Sequence, residues 1–169
     1  MKRWLYTTGG VFGVCLLALL VAAIWGAVLP EHHKVERSAT YDATPKKIWR
    51  VITAHEEAPR WRSTLVDAKR QSSPTGHTVW IQTYDDGDRL VLETTVADPP
   101  HRLVRTVRKS DTSFSGEWEF QIETAGGGSK VTLTERGRVA NPVVRFVATY
   151  MLGYATAVER YLEDLKGGL

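Results

Sequence analysis

The C-terminal part of the sequence, from Pro142 to Lys166, is predicted to form one long amphipathic helix that ends at Gly167-Gly168. Asn141 can cap the free backbone N–H groups of a first turn that starts with proline. Apolar residues recur at three- and four-residue steps along one side of this stretch. They are Val143, Val147, Tyr150, Tyr154, Val158, Tyr161 and Leu165. A helix of about 25 residues is roughly 37 Å long, so the rest of the chain must supply a large apolar surface to cover it.

The sequence before this helix predicts a sheet that can provide that surface. Seven strands are expected, at residues 35–42, 65–71, 77–84, 89–97, 102–109, 114–124 and 130–139. Residues 85–88, Asp-Asp-Gly-Asp, and residues 125–129, Ala-Gly-Gly-Gly-Ser, are hairpin turns. Two short helices are predicted between the first and second strands. Successive hairpins make the sheet antiparallel, so the predicted fold class is α+β, with a curved sheet wrapped around the C-terminal helix.

An uncharged stretch from Gly9 to Leu29 precedes this predicted domain. Its 21 residues are enough to cross a hydrocarbon core of about 30 Å, and they exceed the apolar core of a signal peptide, about 7–15 residues. The sequence therefore predicts a transmembrane anchor in residues 1–30, a linker in residues 31–34 and one domain over residues 35–169. A removed signal peptide and a lipid-buried hairpin are the alternatives.

The distribution of charge predicts an orientation and excludes one class of partner. Lys2 and Arg3 precede the uncharged stretch, which places the N-terminus in the cytoplasm and the domain outside it. Without these two residues, 20 basic side chains are balanced by 19 acidic ones. No basic cluster of the kind that binds nucleic acid is present, so a nucleic-acid partner is not expected.

The sequence contains no motif for a metal, a cofactor or a covalent catalyst. Cys15 is the only cysteine, which excludes an intrachain disulfide. The aspartates of residues 85–88 lack the distal glutamate of a calcium loop, and His32-His33 is interpreted as part of a solvated linker. No Ser-His-Asp constellation or phosphate-binding glycine loop is visible. A cyclase needs only a shaped pocket and one acid or base, so enzymatic activity stays open.

Candidate ligand-binding residues lie on the apolar side of the helix and on the strands and short helix expected to face it. Buried tyrosine hydroxyls need hydrogen-bond partners, so several tyrosines on one face favour a partly polar cavity. These candidates are Tyr41, Trp49, Trp118, Phe120, Tyr150, Met151 and Tyr154. The alternative is that they simply fill a core.

Two charged residues, Arg105 and Glu135, fall on strand faces that are otherwise apolar. If the two side chains pair, each offsets the desolvation of the other. If Arg105 faces a ligand, it can bind a carboxylate or a phenolate. The alternative places both residues in solvent at the rim of the sheet.

The order of these elements resembles the helix-grip fold of the START-like (SRPBCC) superfamily, and within it the bacterial polyketide cyclase/dehydrase and lipid-transport group. The resemblance covers about residues 34–166. It rests on Asp42-Ala43-Thr44-Pro45 before Ile48-Trp49, Pro59-x-Trp61, Pro99-Pro100-x-Arg102-Leu103-Val104, Gly116-x-Trp118-x-Phe120, Val131-x-Leu133-x-Glu135, Asn141-Pro142-x-x-Arg145 and Tyr161-Leu162-x-Asp164-Leu165. It implies a hydrophobic pocket but little about chemistry, because functions within this fold are diverse.

Three functions are therefore compatible with the sequence. The first is membrane-anchored binding of a hydrophobic small molecule or lipid in a cavity between the C-terminal helix and the sheet. The second is a polyketide cyclase/dehydrase-like enzyme acting on an aromatic or polyketide substrate. The third is an interaction module whose core is full and binds no ligand.

Overall fold

The computed structural model of the chain describes residues 2–73, 76–111 and 114–169, with side chains from residue 13 onward. These residues form two compact units. The larger unit consists of His32–Arg138 and Tyr154–Leu169, and the smaller consists of the residues up to Glu31 together with Val139–Gly153.

The larger unit is built on a sheet of seven antiparallel strands, as the sequence predicted. The strands are β1 His32–Tyr41, β2 Leu65–Gln71, β3 Val79–Tyr84, β4 Arg89–Asp98, β5 Arg102–Ser110, β6 Phe114–Ala125 and β7 Gly128–Val139. Their order in the sheet is β1-β7-β6-β5-β4-β3-β2. Strand β1 thus starts inside the segment 31–34 that was predicted as a linker. The pairing of β4 with β5 shifts register twice, and such irregularities bend a sheet.

The helices described for the chain are α1 Lys2–Val28, α2 Pro45–Thr53, α3 Pro142–Val147 and α4 Ala155–Gly168. A 3₁₀-helix, His55–Arg60, follows α2, and a π-helix, Ala148–Leu152, follows α3. The start of α2 agrees with the predicted cap, because the side chain of Thr44 accepts a hydrogen bond from the backbone N–H of Lys47 at 3.3 Å. Asn141 caps α3 in the same way, accepting hydrogen bonds from Val143 and Val144.

The core of the larger unit lies between the sheet and α4. The buried residues of α4 recur at three- and four-residue steps, as one face of a helix requires: they are Val158, Tyr161, Leu162 and Leu165. They pack with buried residues of α2 and of the central strands, including Ile48, Ile52, Leu103, Phe120, Ile122, Val131 and Leu133. The hydroxyl of Tyr41 on β1 also donates a hydrogen bond to the backbone carbonyl of Leu162 at 2.7 Å.

The single helix predicted over Pro142–Lys166 is wrong in its continuity. Gly153 has φ 75° and ψ 132°, a backbone conformation that glycine tolerates and a right-handed helix cannot contain. The helical turns before Gly153 belong to the smaller unit, and α4 begins after it. The predicted end of the helix at Gly167-Gly168 agrees with the structure, in which α4 ends at Gly168.

The smaller unit brings α1 against α3. A Cβ atom at Gly26 would overlap the backbone carbonyl of Pro142, so glycine is what permits this close approach. The buried guanidinium of Arg145 donates to the backbone carbonyls of Val139, Leu29 and Ala140 at 2.8–3.0 Å. It also lies 3.3 Å from the carboxylate of Glu31, so its charge is paired.

The transmembrane anchor predicted in residues 1–30 is not supported. A spanning helix needs about 20 consecutive apolar residues. Within the part of the chain that the structure describes, no helix has both the length and the apolar character needed to cross a membrane.

An ion-pair network at β5, β6 and β7 holds a buried carboxylate. Glu119 is 6% exposed and accepts hydrogen bonds from Arg136 at 2.8 Å and from Arg102 at 2.7 Å. These hydrogen bonds, first that of Arg136, lower the pKa of Glu119 to about 2. The carboxylate therefore stays ionised at neutral pH and joins three strands.

Replacing Glu119 with glutamine should lower the free energy of unfolding by about 1–3 kcal/mol at neutral pH, because a charge-assisted acceptor is lost. The wild-type carboxylate stabilises the fold above its ordinary pKa of 4.5, and this contribution is lost as the pH falls toward 2. The difference between the two proteins should therefore shrink with falling pH, as measured by urea unfolding. Glu123→Gln, at an exposed position of the same strand, is the control. A difference that is constant with pH would contradict the network.

Candidate functional site

A narrow cavity lies inside the larger unit, between strands β3–β6 and helix α4, with about 30 Å³ of space for the centres of water-sized molecules. This space is well below the range for small-molecule pockets. One part of its wall is apolar or aromatic and consists of Leu90, Leu92, Val107, Phe114, Trp118 and Tyr161. The other part is polar and consists of Arg62, Gln82, Tyr84 and Arg105. The cavity can therefore contact an apolar body and a polar group at the same time.

Three side chains of the polar wall form a hydrogen-bonded network. Arg62 is only 8% exposed, and its guanidinium donates to the amide oxygen of Gln82 at 2.9 Å and to the hydroxyl of Tyr84 at 3.3 Å. The hydroxyl of Tyr84 in turn donates to the amide oxygen of Gln82 at 3.0 Å. Both of these partners are neutral, and no carboxylate among the described residues balances the positive charge of Arg62.

The second arginine of the wall, Arg105, is 4% exposed. One of its Nη atoms donates to the backbone carbonyl of Ile52, and its guanidinium lies 5.2 Å from the centre of the Phe120 ring. Burial lowers the pKa of Arg105, although the electrostatic interaction with Tyr161 opposes this effect. Within the described residues, its buried Nε has no hydrogen-bond acceptor.

The two arginines also affect the pKa of a buried histidine, His55. His55 is 5% exposed and stacks on Trp80 with ring centres 4.6 Å apart. Burial, and after it the charges of Arg105 and Arg62, lower the pKa of His55 to about 2. His55 is consequently neutral at physiological pH, and this region of the unit has a positive potential.

A second polar cluster lies beside Phe114, a residue of the cavity wall. The carboxylate of Glu135 on β7 lies 2.8 Å from Nε2 of His33 on β1, and both side chains are largely buried. The imidazole of His33 stacks on Tyr154 with ring centres 3.9 Å apart and is 6.2 Å from the Phe114 ring. The pair is a carboxylate-oriented imidazole, an arrangement able to transfer a proton.

The nine predicted ligand-binding residues fall into different environments. Arg105 and Trp118 line the cavity. Glu135 and Tyr154 belong to the cluster around His33. The other members within the larger unit pack in the core: they are Tyr41, Trp49 and Phe120. The predicted alternative in which Arg105 pairs with Glu135 is wrong, because Glu135 binds His33.

Tyr150 and Met151 do not line this cavity. They are 58% and 73% exposed and belong to the smaller unit. The break at Gly153 is the reason, since it ends the continuous helix on which both were expected to share a face with Tyr154.

Several important residues were missed in the sequence. Gln82 and Tyr84 lie on the same face of β3 as Trp80. The opposite face of that strand is also apolar, so the sequence pattern did not show which face is buried. His33 was assigned to a solvated linker, although it continues the alternation of Val35 by one step. Arg62 follows the 3₁₀-helix, where no periodicity marks a buried side chain. Among the described residues, no group of three or more potential metal ligands converges.

The neutrality of His55 predicts a pH dependence of stability. The pKa of His55 is 6.5 in the unfolded chain and about 2 in the folded chain. The neutral imidazole therefore contributes fully to the free energy of unfolding above pH 6.5. This contribution falls by about 1.4 kcal/mol for each pH unit below 6.5. His55→Phe should flatten this decline in urea unfolding measurements, whereas His101→Phe, at an exposed position, should not. An unchanged slope in His55→Phe would contradict a buried neutral imidazole.

Solved structures similar to this chain share its fold. A START superfamily protein from Mycobacterium smegmatis has 15% identity and a TM-score of 0.64, and the match covers 80% of this chain and 95% of that one. The Zhui aromatase/cyclase from a Streptomyces species has 14% identity and a TM-score of 0.67, with 80% and 92% covered. A Thalictrum norcoclaurine synthase variant, in complex with a transition-state analogue, has 11% identity and a TM-score of 0.62, with 80% and 92% covered.

No curated protein sequence matches the chain significantly. The structural matches, at these low identities, establish the START-like fold alone. The sequence of residues 32–167, however, matches the family described as polyketide cyclase/dehydrase and lipid transport. This match covers most of the chain and confirms the resemblance found in the sequence. The chain therefore belongs to the polyketide cyclase/dehydrase and lipid transport family.

Proposed function

We propose that the larger unit binds a hydrophobic small molecule or lipid in the cavity between β3–β6 and α4. The observation that carries this proposal is the two-part wall, in which aromatic and aliphatic side chains face four convergent polar groups. Pockets for small organic ligands have this composition. A fully packed core leaves few voids larger than one water molecule, whereas this wall encloses about 30 Å³ of space for the centres of water-sized molecules.

The apolar wall defines how much affinity hydrophobic contact can provide. A two-ring aromatic body buries roughly 150–250 Å², which corresponds to about 4–6 kcal/mol at 25 cal/mol per Å². Association costs reduce this value, so apolar contact alone gives dissociation constants no tighter than tens of micromolar. Tighter binding requires the polar wall to contribute.

A second candidate function is cyclase-type catalysis on an aromatic or polyketide substrate. The observation that favours it is the pair of His33 and Glu135, which is buried next to Phe114 of the cavity wall. Glu135 orients the imidazole, and His33 is then the group that accepts or donates a proton in an aldol-type ring closure. Tyr154, stacked on His33, limits the rotation of the ring.

The binding proposal predicts that filling the cavity removes binding. Val107→Phe places a larger side chain into the cavity wall, so we expect at least about a tenfold loss of affinity for the neutral two-ring dye prodan, which corresponds to 1.4 kcal/mol. Overpacking a filled core costs about 1–3 kcal/mol, and we expect the free energy of unfolding to change by less than this amount. Dye fluorescence and thermal unfolding measure the two effects.

Val66→Phe is the matched control, because Val66 is 61% exposed on β2. It should leave prodan binding unchanged. If the dye does not bind the wild-type chain, native mass spectrometry detects no copurifying small molecule, and Val107→Phe unfolds the protein, then the core is full and the binding function is wrong.

The catalytic candidate predicts a separation of turnover from binding. Glu135→Gln keeps the size of the side chain but removes the charge that orients His33, so turnover of a polyketide substrate should fall while substrate affinity is retained. Glu123→Gln, at an exposed position, should leave both quantities unchanged. A parallel loss of affinity and turnover would assign Glu135 to substrate binding. If the wild-type chain shows no turnover, the catalytic candidate is wrong and the binding function is left.

The predicted location, with the N-terminus in the cytoplasm and the domain outside it, stays a prediction. It depends on the charges of Lys2 and Arg3, whose side chains lie outside the described residues.

A further inference from the structure

Two buried arginines, Arg62 and Arg105, line the same cavity without a carboxylate partner in the described part of the chain. Buried charges are costly unless they are paired. The other buried arginine and carboxylates among the described residues follow that rule: Arg145 is paired with Glu31, Glu119 with Arg136 and Arg102, Glu93 with Arg108, and Glu135 lies 2.8 Å from His33. Within the described part of the chain, the two cavity arginines are the exceptions.

Both guanidinium groups converge on Tyr161 of α4. The Cζ atom of Arg62 lies 4.9 Å from the centre of the Tyr161 ring, and Arg105 interacts electrostatically with Tyr161. Burial, and to a smaller extent the charge of Arg62, lowers the pKa of Arg105, so the two charges repel each other. An anion placed at the polar wall would offset both the desolvation and the repulsion.

A donor is already available for such an anion. The Nε of Arg105 is buried and meets no acceptor among the described residues. The hydrogen bonds of Arg62 to Gln82 and Tyr84 go to neutral groups, which a stronger acceptor can displace. Guanidinium groups bind planar carboxylates through two parallel hydrogen bonds, whereas an alcohol or an ester offers only neutral acceptors.

The shape of the apolar wall defines the remainder of the ligand. Phe114 and Trp118 form part of a narrow space opposite the polar groups, and aromatic side chains of this kind pack well against flat rings. Building on the proposed binding function, we propose that the cavity selects an aromatic carboxylate, with the carboxylate held by Arg62 and Arg105 and the ring against Phe114 and Trp118.

The test compares two ligands with the same naphthalene body, the anionic 2-naphthoate and its neutral methyl ester, by titration of the full chain at neutral pH. Wild type should bind the acid at least about tenfold more tightly than the ester, as a charge-assisted hydrogen bond provides. Arg62→Met should weaken binding of the acid by between about tenfold and a hundredfold and leave binding of the ester within about twofold. Arg89→Met, at an exposed position of β4, should change neither.

Arg105 is tested by Arg105→Lys, which keeps the charge and avoids leaving a void in the buried wall. It should reduce the preference for the acid over the ester, because lysine cannot form the two parallel hydrogen bonds. Thermal unfolding checks that each variant is folded.

Equal binding of the two ligands by wild type would overturn the assignment of an anionic ligand while leaving the binding function intact. An equal loss of affinity for the acid and the ester in Arg62→Met would also overturn this assignment, since the arginine would then act by packing alone. If neither naphthalene ligand binds and prodan does not bind either, the binding function and this assignment both fail.

Discussion

The packing of α4 against the sheet is the interaction on which the larger unit depends. Val158 and Leu165 are fully buried in it, and the hydroxyl of Tyr41 binds the helix backbone directly at Leu162. Tyr161 lies on the same face of the helix, but it reaches both the core and the cavity. The helix therefore closes the core with one set of residues and forms a wall of the cavity with another.

The two regions of that interface differ in their polar chemistry. In the core, the hydroxyl of Ser129 donates a hydrogen bond to the backbone carbonyl of Ala43 at 2.7 Å, and the buried groups without a partner among the described residues are the uncharged indole Nε1 atoms of Trp61 and Trp80. In the cavity, Arg62 and Arg105 retain charge that the described residues do not balance. Such local departures from otherwise consistent packing are expected at functional sites, where stability is given up for binding or chemistry. The position of the departure supports the cavity as the functional site.

Much of the fold could be predicted from the sequence because its determinants are local. The caps at Thr44 and Asn141 and the alternation within β6 and β7 each depend on a few neighbouring residues. The helix break could not be predicted from periodicity, because the apolar steps continue across Gly153 while its backbone leaves the helical region. Arg105 and Trp118 were found because each occupies an otherwise apolar strand face. Arg62 was missed because its burial results from long-range contacts with β3 and α4.

Phe114 connects the two candidate functions of this unit. It lines the cavity and also lies beside the ring of His33, whose partner is Glu135. A ligand in the cavity contacts the arginines and the aromatic wall, but neither His33 nor Glu135 is among the residues that line it. Chemistry requires that a reacting carbon come within hydrogen-bond distance of His33, since proton transfer depends on geometry before pKa. Binding therefore needs only the cavity, whereas catalysis also needs a ligand that reaches the imidazole beside Phe114.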